Sequence, residues 1–260
     1  RAMGEPQAWQ TQQSERVDRV ASGGEVAAGI AREIKDPLAA ISGAVTVLAD
    51  DFAEDDPRRE VVDKVLEQIA RLDKAATDLL FFGRPGKPSF DYVDTNALLN
   101  KTMFFVSQHP EARNVHQTKE FTRNLPPVWV DEKQLQQVFF NIIINAIQAM
   151  KDGGTLLLQT DLVEEQGKDV VKVLIGDSGP GIKPEDLEAV FTPFFTTKTQ
   201  GTGLGLSISK KIVESYGGTL TLSDAETGGA RFTVFLPKQN SESNVKKQTE
   251  SDFKNIEGNL

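Results

Sequence analysis

Cysteine is absent from all 260 residues, which excludes disulfides, catalytic thiols and thiolate metal sites at once. Histidine is scarce as well: His109 and His116 are the two in the chain, too few for an imidazole-rich metal centre. Basic residues are outnumbered, 29 Lys and Arg against 38 Asp and Glu, and the net charge of -9 argues against a general nucleic-acid-binding surface. No apolar run approaches the roughly eighteen residues that a membrane span needs, so the stretch reads as cytoplasmic in character, with no membrane contact of its own. It opens on Arg1-Ala2-Met3-Gly4 and reads as a fragment of a longer protein. What remains is ordinary for a chain with a real core, 38% hydrophobic and 26% charged, at a length that favours two domains.

Five regions separate by pattern. Residues 1–13 are a polar, helix-permissive linker or remnant. Apolar or small residues then recur at Val17, Val20, Gly24, Ala27, Ala31, Ile34, Leu38, Ile41, Val45 and Leu48, alternating intervals of three and four, the seam of a long helix in a bundle. An acidic turn follows, Pro57 suits the first turn of a new helix, and a second seam runs Val62, Val65, Ile69, Leu72, Ala76, Leu79. Residues 14–83 are therefore expected to form a helical hairpin. Two helices bury too little surface alone, so the hairpin should pair with a second copy as a dimeric four-helix bundle. The Gly- and Pro-rich stretch at 84–89 reads as a linker.

From 90 to 238 helical segments near Asn96–Gln108, Glu132–Met150 and Leu204–Tyr216 alternate with β-like runs at Thr155–Thr160, Val170–Ile175, Thr219–Leu222 and Phe232–Leu236. The pattern predicts an α/β sandwich with helices on one face of a mixed sheet. The polar stretch 239–260 is expected to be disordered.

Three clusters in the second domain, 90–238, bear on chemistry. Asn141 and Asn145 stand four apart on one helix, with Gln137 and Gln148 flanking them. Their carboxamide oxygens suit a hard cation such as Mg²⁺, although two polar residues on the wet side of a helix look the same. Asp177-Ser178-Gly179-Pro180-Gly181 follows an apolar strand. A carboxylate there suits an exocyclic amine and the glycines admit a planar ring, but the same residue types make a plain turn. Gly201-Thr202-Gly203-Leu204-Gly205-Leu206 opens a helix, where free N–H groups and the positive end of the dipole suit phosphates. It is neither a Rossmann fingerprint nor a P-loop, since Leu206 replaces the final glycine and no Gly-Lys-Ser/Thr ending occurs. Lys198 is near enough in sequence to supply a counter-charge.

Taken in this order, with the Phe-rich segment Phe191-Thr192-Pro193-Phe194-Phe195 between them, the clusters resemble the Bergerat ATP-binding fold. The Phe-rich segment and the preceding hairpin single out the sensor histidine kinases of two-component systems, with a short lid of the nitrogen-regulation type between Lys198 and Gly201. The resemblance covers about residues 14–237 and implies α plus α/β architecture, ATP and Mg²⁺ as cofactors, a homodimer, and a response-regulator receiver domain as partner. It implies that Asn141 and Asn145 hold Mg²⁺ and that Asp177 reads the adenine amino group. Gly179 and Gly181 would shape the adenine pocket, and Gly201, Gly203 and Gly205 would line the triphosphate. Gln148, Lys198, Thr202 and Leu204 complete the expected nucleotide contacts. Gly228-Gly229-Ala230-Arg231-Phe232 resembles the family's closing turn and strand.

One stretch departs from the family. Where it carries His-Glu-x-x-Asn/Thr-Pro, this chain has Arg32-Glu33-Ile34-Lys35-Asp36-Pro37. Arg32 thus occupies the phosphoacceptor position, yet a guanidinium stays protonated and has no lone pair to offer. Asp36 replaces the residue that positions a hydrolytic water, and an ionised carboxylate repels an incoming phosphoryl group. Glu33, the family's candidate general base, is retained. Arg32 and Asp36 also sit four apart, the spacing of an exposed helical ion pair; alternatively Arg32 grips a receiver's acidic pocket. His109, read as a loop residue, and His116, read as the start of a strand, are poor substitute acceptors. Two functions are expected to compete: a histidine kinase core with self-phosphorylation lost at the usual site, and an ATP-binding pseudokinase acting by conformation or by pairing with another kinase. A serine-directed kinase of related fold is disfavoured by the near-intact phosphoacceptor frame.

Overall fold

A computed structural model describes residues 29, 31–53, 56–83, 87–198, 201–224 and 228–238. The linker expected at 1–13, the seam positions Val17, Val20, Gly24 and Ala27, the tail expected at 239–260 and residues 84–86 lie outside the described residues. The chain divides into two compact units, Arg1–Lys87 with Lys198–Leu204, and Pro88–Thr197 with Gly205–Leu260.

The first unit carries α1 (residues 31–50) and α2 (Pro57–Gly83). The start of α2 follows from its sequence. Asp56 accepts a bond from the Arg58 backbone N–H at 2.9 Å, and Pro57, with no N–H to leave unpaired, takes the first helical position. The Arg58 side chain also donates to this carboxylate, Nε to Oδ1 at 2.9 Å, and holds the Asp56 pKa down at about 2. Arg59 ties the preceding turn down, Nη2 to the Phe52 carbonyl at 2.8 Å. Along both helices the apolar seam splits in two. Ala31, Leu38, Val62, Ile69 and Ala76 are buried within the hairpin, whereas Ile34, Ile41, Leu48, Val65 and Leu72 are exposed. Each row repeats every seven residues, so a single hairpin covers one side of each helix and leaves the other apolar side to solvent.

The second unit is built on a five-stranded mixed sheet in the order β2-β4-β5-β7-β6, with a separate two-stranded sheet β1-β3. The strands are β1 (Phe90–Val93), β2 (Val115–Phe121), β3 (Val128–Asp131), β4 (Gly154–Glu165), β5 (Lys168–Asp177), β6 (Thr219–Asp224) and β7 (Ala230–Pro237). The β2–β4 pair is parallel and the rest are antiparallel. β4 and β5 run well beyond the short runs expected at Thr155–Thr160 and Val170–Ile175. Gln166 and Gly167, both at positive φ (52° and 75°), join them in a two-residue hairpin turn whose twist matches the strands, so the polar ends pair as a ribbon.

The helices are α3 (Thr95–Ser107), α4 (Glu132–Ala149) and α5 (Gly205–Ser215). α3 and α4 start at aspartates that accept from the third residue on, Asp94 from the Ala97 N–H and Asp131 from the Gln134 N–H, each at 3.0 Å. α4 packs against α3, α5 and β5. Leu135, Val138, Phe139, Ile142, Ile143 and Ile147 are fully buried along it, which makes it the spine of the core. On β4, buried Leu156, Leu158 and Thr160 alternate with more accessible neighbours, the pattern of a sheet covered by helices on one face. A polar brace ties α3 to the β2 edge: Asn96 donates to the Thr122 carbonyl at 2.9 Å and accepts from the Thr160 hydroxyl at 2.8 Å. His116 lies in β2, paired with Thr155, and His109 precedes a 3₁₀ turn at Pro110–Ala112 rather than an irregular loop.

Candidate functional site

In the second unit the structure brings the first cluster together with the start of α5. Asn141 is buried, which removes the reading of a polar residue on a wet helix face. Its carboxamide nitrogen donates to the Gly205 carbonyl at 3.2 Å and approaches the Ser209 hydroxyl at 3.4 Å, while Ser209 donates to the same carbonyl at 2.8 Å. With the nitrogen engaged, the carboxamide oxygen is the atom Asn141 offers a cation. Asn145 and Gln148, four and seven residues further along α4, are half-buried. Among the described residues no group of three or more Asp, Glu, His or Cys gathers as a metal cage, so a cation here would rely on carboxamide oxygen, phosphate and water.

The second cluster ends β5, the middle strand of the sheet. Asp177 is only 4% exposed. Its Oδ1 accepts two backbone N–H groups, Gly179 at 2.9 Å and Ala230 at 3.2 Å. Burial pushes the Asp177 carboxyl above its ordinary 3.8, and the two backbone donors hold it part of the way back. A side chain at Gly179 would fill the space between the Asp177 carboxylate (2.9 Å) and the Ala149 Cβ (3.2 Å), so the backbone there lies against α4 with room for no more than hydrogen. Ser178 braces the neighbouring strand: its hydroxyl accepts the Thr155 N–H at 2.9 Å and its own N–H donates to the Thr155 carbonyl at 3.2 Å. The arrangement is more than a plain turn. It holds one buried carboxylate at a strand end with one oxygen fixed, beside a side-chain-free shelf.

The third cluster divides between the units. Gly205 opens α5, so the helix begins one residue later than the expected Leu204. The preceding segment belongs to the first unit. There the Gly201 N–H donates to the Lys198 carbonyl at 3.3 Å, Gly203 has φ 67°, and the Thr202 hydroxyl accepts the Leu204 N–H at 3.4 Å. Lys198 is exposed, whereas Leu204 is buried, so Leu204 offers a ligand its backbone and not its side chain.

On α1, Arg32, Glu33 and Asp36 are all exposed. No ion pair joins Arg32 to Asp36 among the described residues, which corrects the expectation of one. The ion pair of this stretch is made by Lys35, which reaches Asp73 on α2 at 3.2 Å and donates to the Thr77 hydroxyl at 2.7 Å. A lysine one residue before Asp36 points across the hairpin, while the 32/36 face points away from it.

Sequence reasoning missed two partners. Ser209 supports Asn141, at the i+4 spacing from Gly205 that a helix would have revealed. Ala230 supports Asp177 from 53 residues away, a contact with no local signal beyond the glycine pair before it.

Comparison with known proteins completes the picture. Residues 130–240 match the family described as histidine kinase-, DNA gyrase B-, and HSP90-like ATPase, and residues 23–88 match the His Kinase A (phospho-acceptor) domain. Sensor histidine kinase ZraS of Escherichia coli O157:H7 is 37% identical over 224 residues, covering 85% of this chain and 48% of that protein. The solved catalytic domain of histidine kinase ThkA is 33% identical, with a TM-score of 0.52 over 58% of this chain and 96% of that one. The structure of histidine kinase ThkA in complex with response regulator protein TrrA is 25% identical, with a TM-score of 0.62 over 92% of this chain and 68% of that one. The chain spans about half the length of the curated relatives it matches.

Proposed function

We propose, from the premise that this chain belongs to the sensor histidine kinases of two-component systems, that it binds Mg-ATP and signals through a response regulator without phosphorylating itself at its family's usual position. The observation that carries the reading is Arg32, exposed on α1 inside the matched phosphoacceptor region, where a histidine would offer a lone pair. Guanidinium is a permanent cation with donors alone, so no nitrogen–phosphorus bond forms there. Asp36, exposed on the same helix, presents negative charge where the family positions water, which opposes hydrolysis of a partner's phospho-aspartate. Glu33 remains as a base with no nucleophile beside it.

The residues present fit the nucleotide. Asp177 would accept the adenine amine and Gly179 would lie under the ring. The start of α5 at Gly205 would direct N–H groups at phosphates, and the oxygens of Asn141 and Asn145 would share the Mg²⁺ shell. By the family resemblance Lys198, Thr202 and the backbone of Gly201, Gly203 and Leu204 would serve the triphosphate, Gln148 would add a nucleotide contact, and Gly181 would shape the adenine pocket with Gly179. Mg²⁺ neutralises phosphate charge when bound. For the partner, the ThkA–TrrA complex supports a receiver domain seated on a related chain. The exposed rows Ile34, Ile41, Leu48 and Val65, Leu72 support a second copy as the cover of the hairpin, completing a four-helix bundle. Sedimentation should return twice the 28.5 kDa chain mass, and a monomer at micromolar concentration overturns the bundle.

The function itself is tested by incubating the chain with γ-labelled Mg-ATP. Saturable binding with no acid-labile label is expected; acid-labile label on the unaltered chain sinks the reading. The same Arg32 exchange favours a second reading, a pseudokinase acting through conformation or a partner kinase. An added hairpin domain carrying the family histidine separates the two: label on that hairpin marks a kinase acting in trans, and its absence marks a pseudokinase.

A further inference from the structure

The turn Gly228-Gly229-Ala230 between β6 and β7, which supplies the Ala230 donor to Asp177, lies against the end of β5 at very short range. A Cβ added to Gly229 would stand 1.9 Å from the Asp177 carbonyl oxygen and 2.6 Å from its Oδ1. The obstruction is backbone, which cannot swing aside. One residue on, the Ala230 N–H donates to Asp177 Oδ1 at 3.2 Å. One residue back, the Gly228 carbonyl lies 3.0 Å from where a Cβ of Gly181 would stand. The turn therefore touches both the aspartate and the last glycine of the Asp-x-Gly-x-Gly segment. Gly229 is buried, as is Ala230.

We propose that this turn is the positioning element for base recognition. Ala230 and Gly179 fix Oδ1 from two sides, which sets the plane of the carboxylate and presents Oδ2 to a donor on the base. Gly229 is the residue whose lack of a side chain lets the turn come close enough for Ala230 to do so. It thereby selects a purine with an exocyclic amine over one with a carbonyl at the same position. A carboxylate fixed at one oxygen accepts from an amine and repels a carbonyl oxygen, whereas a carboxylate free to rotate relaxes away from the mismatch. This inference rests on the reading of Asp177 as the acceptor for the adenine amine.

The test compares the affinities of ADP and inosine diphosphate for the full chain and its variants. In the unaltered chain ADP should bind the tighter by about tenfold or more, the worth of a bond to a charged acceptor. Asp177→Asn should abolish most of that discrimination; if it does not, the reading of Asp177 itself fails. Gly229→Ala should reduce discrimination toward the Asp177→Asn level, chiefly by weakening ADP. Equal weakening of both nucleotides would mean that the turn merely holds the pocket together, and the inference is then wrong even with the reading of Asp177 intact. A second measurement avoids any folding failure of Gly229→Ala. Amide hydrogen exchange at Ala230 and Gly179 should speed up about tenfold or more in Asp177→Ala, with the amides of β4 unchanged. Unaltered protection at Ala230 would remove the clamp and the proposal with it.

Discussion

Arg32→His gains acid-labile phosphate from γ-labelled Mg-ATP, at least tenfold over the background of the unaltered chain. The expectation follows from one exchange of functional group. Neutral imidazole, with a pKa near 6.5, carries a nitrogen lone pair at neutral pH, and guanidinium does not. Nothing else need be built. Ala31 is buried and holds this turn of α1 against the hairpin, position 32 is exposed on it, and Glu33 stands next along the chain. Phosphoamino-acid stability identifies the product, since a phosphohistidine is lost in acid and a phosphoserine is not. A variant that stays unlabelled while still binding ATP would place the defect elsewhere, with Asp36→Asn the first change to add.

Asp177→Asn weakens ATP by about ten- to one-hundred-fold, because it replaces a charged acceptor that has lost most of its water. The same substitution carries a pH signature. Burial raises the folded-state pKa of Asp177 above its unfolded value, so the folded chain holds this proton more tightly than the unfolded one. Its contribution to stability is fully present below the ordinary 3.8 and is lost as pH rises through the raised value. At neutral pH the ionised carboxylate is a cost that asparagine lacks. The variant should therefore melt higher than the unaltered chain at pH 7, with the difference shrinking as pH falls toward 4. A difference independent of pH would show that the carboxylate is not strained by its burial. ATP binding by the unaltered chain moves the opposite way and weakens as the carboxylate takes up its proton.

Much of this architecture is legible in the residues. α3 and α4 announce themselves through Asp94 and Asp131 ahead of apolar periodicity, and β5 through an apolar run, Val170–Ile175, interrupted at Lys172 alone. The less legible strands are those whose partners are remote. β1 is four residues with one buried side chain, and β3 sits behind two prolines; each makes sense only against the other, through Phe90, Tyr92 and Trp129 in contact. β2 is an edge strand polar from His116 to Glu120, with apolar residues at its two ends alone, and of it the sequence suggested only a start at His116. At the site, Asn141, Asp177 and the glycines are visible because each cluster is local. The support of Asp177 by Ala230 is not, since no spacing rule spans 53 residues. The ion pair expected at 32 and 36 failed for a related reason: spacing says which residues share a face, but Lys35 finds Asp73 on the other helix. The split of the hairpin seam into covered and uncovered rows likewise needs both helices in view.

β5 has neighbours on both sides, β4 and β7, over most of its length. Strands in that position open only when the whole sheet does, so the end that carries Asp177 keeps its place for as long as the domain stays folded. If Asp177 reads the base as proposed, the choice of base is written into the folding of the domain and is not available to a passing signal. Residues 32–36 on α1 and the segment 198–204 are outside this sheet, so on the proposed reading an input would act through such parts, changing what happens to the phosphate while the identity of the nucleotide stays constant.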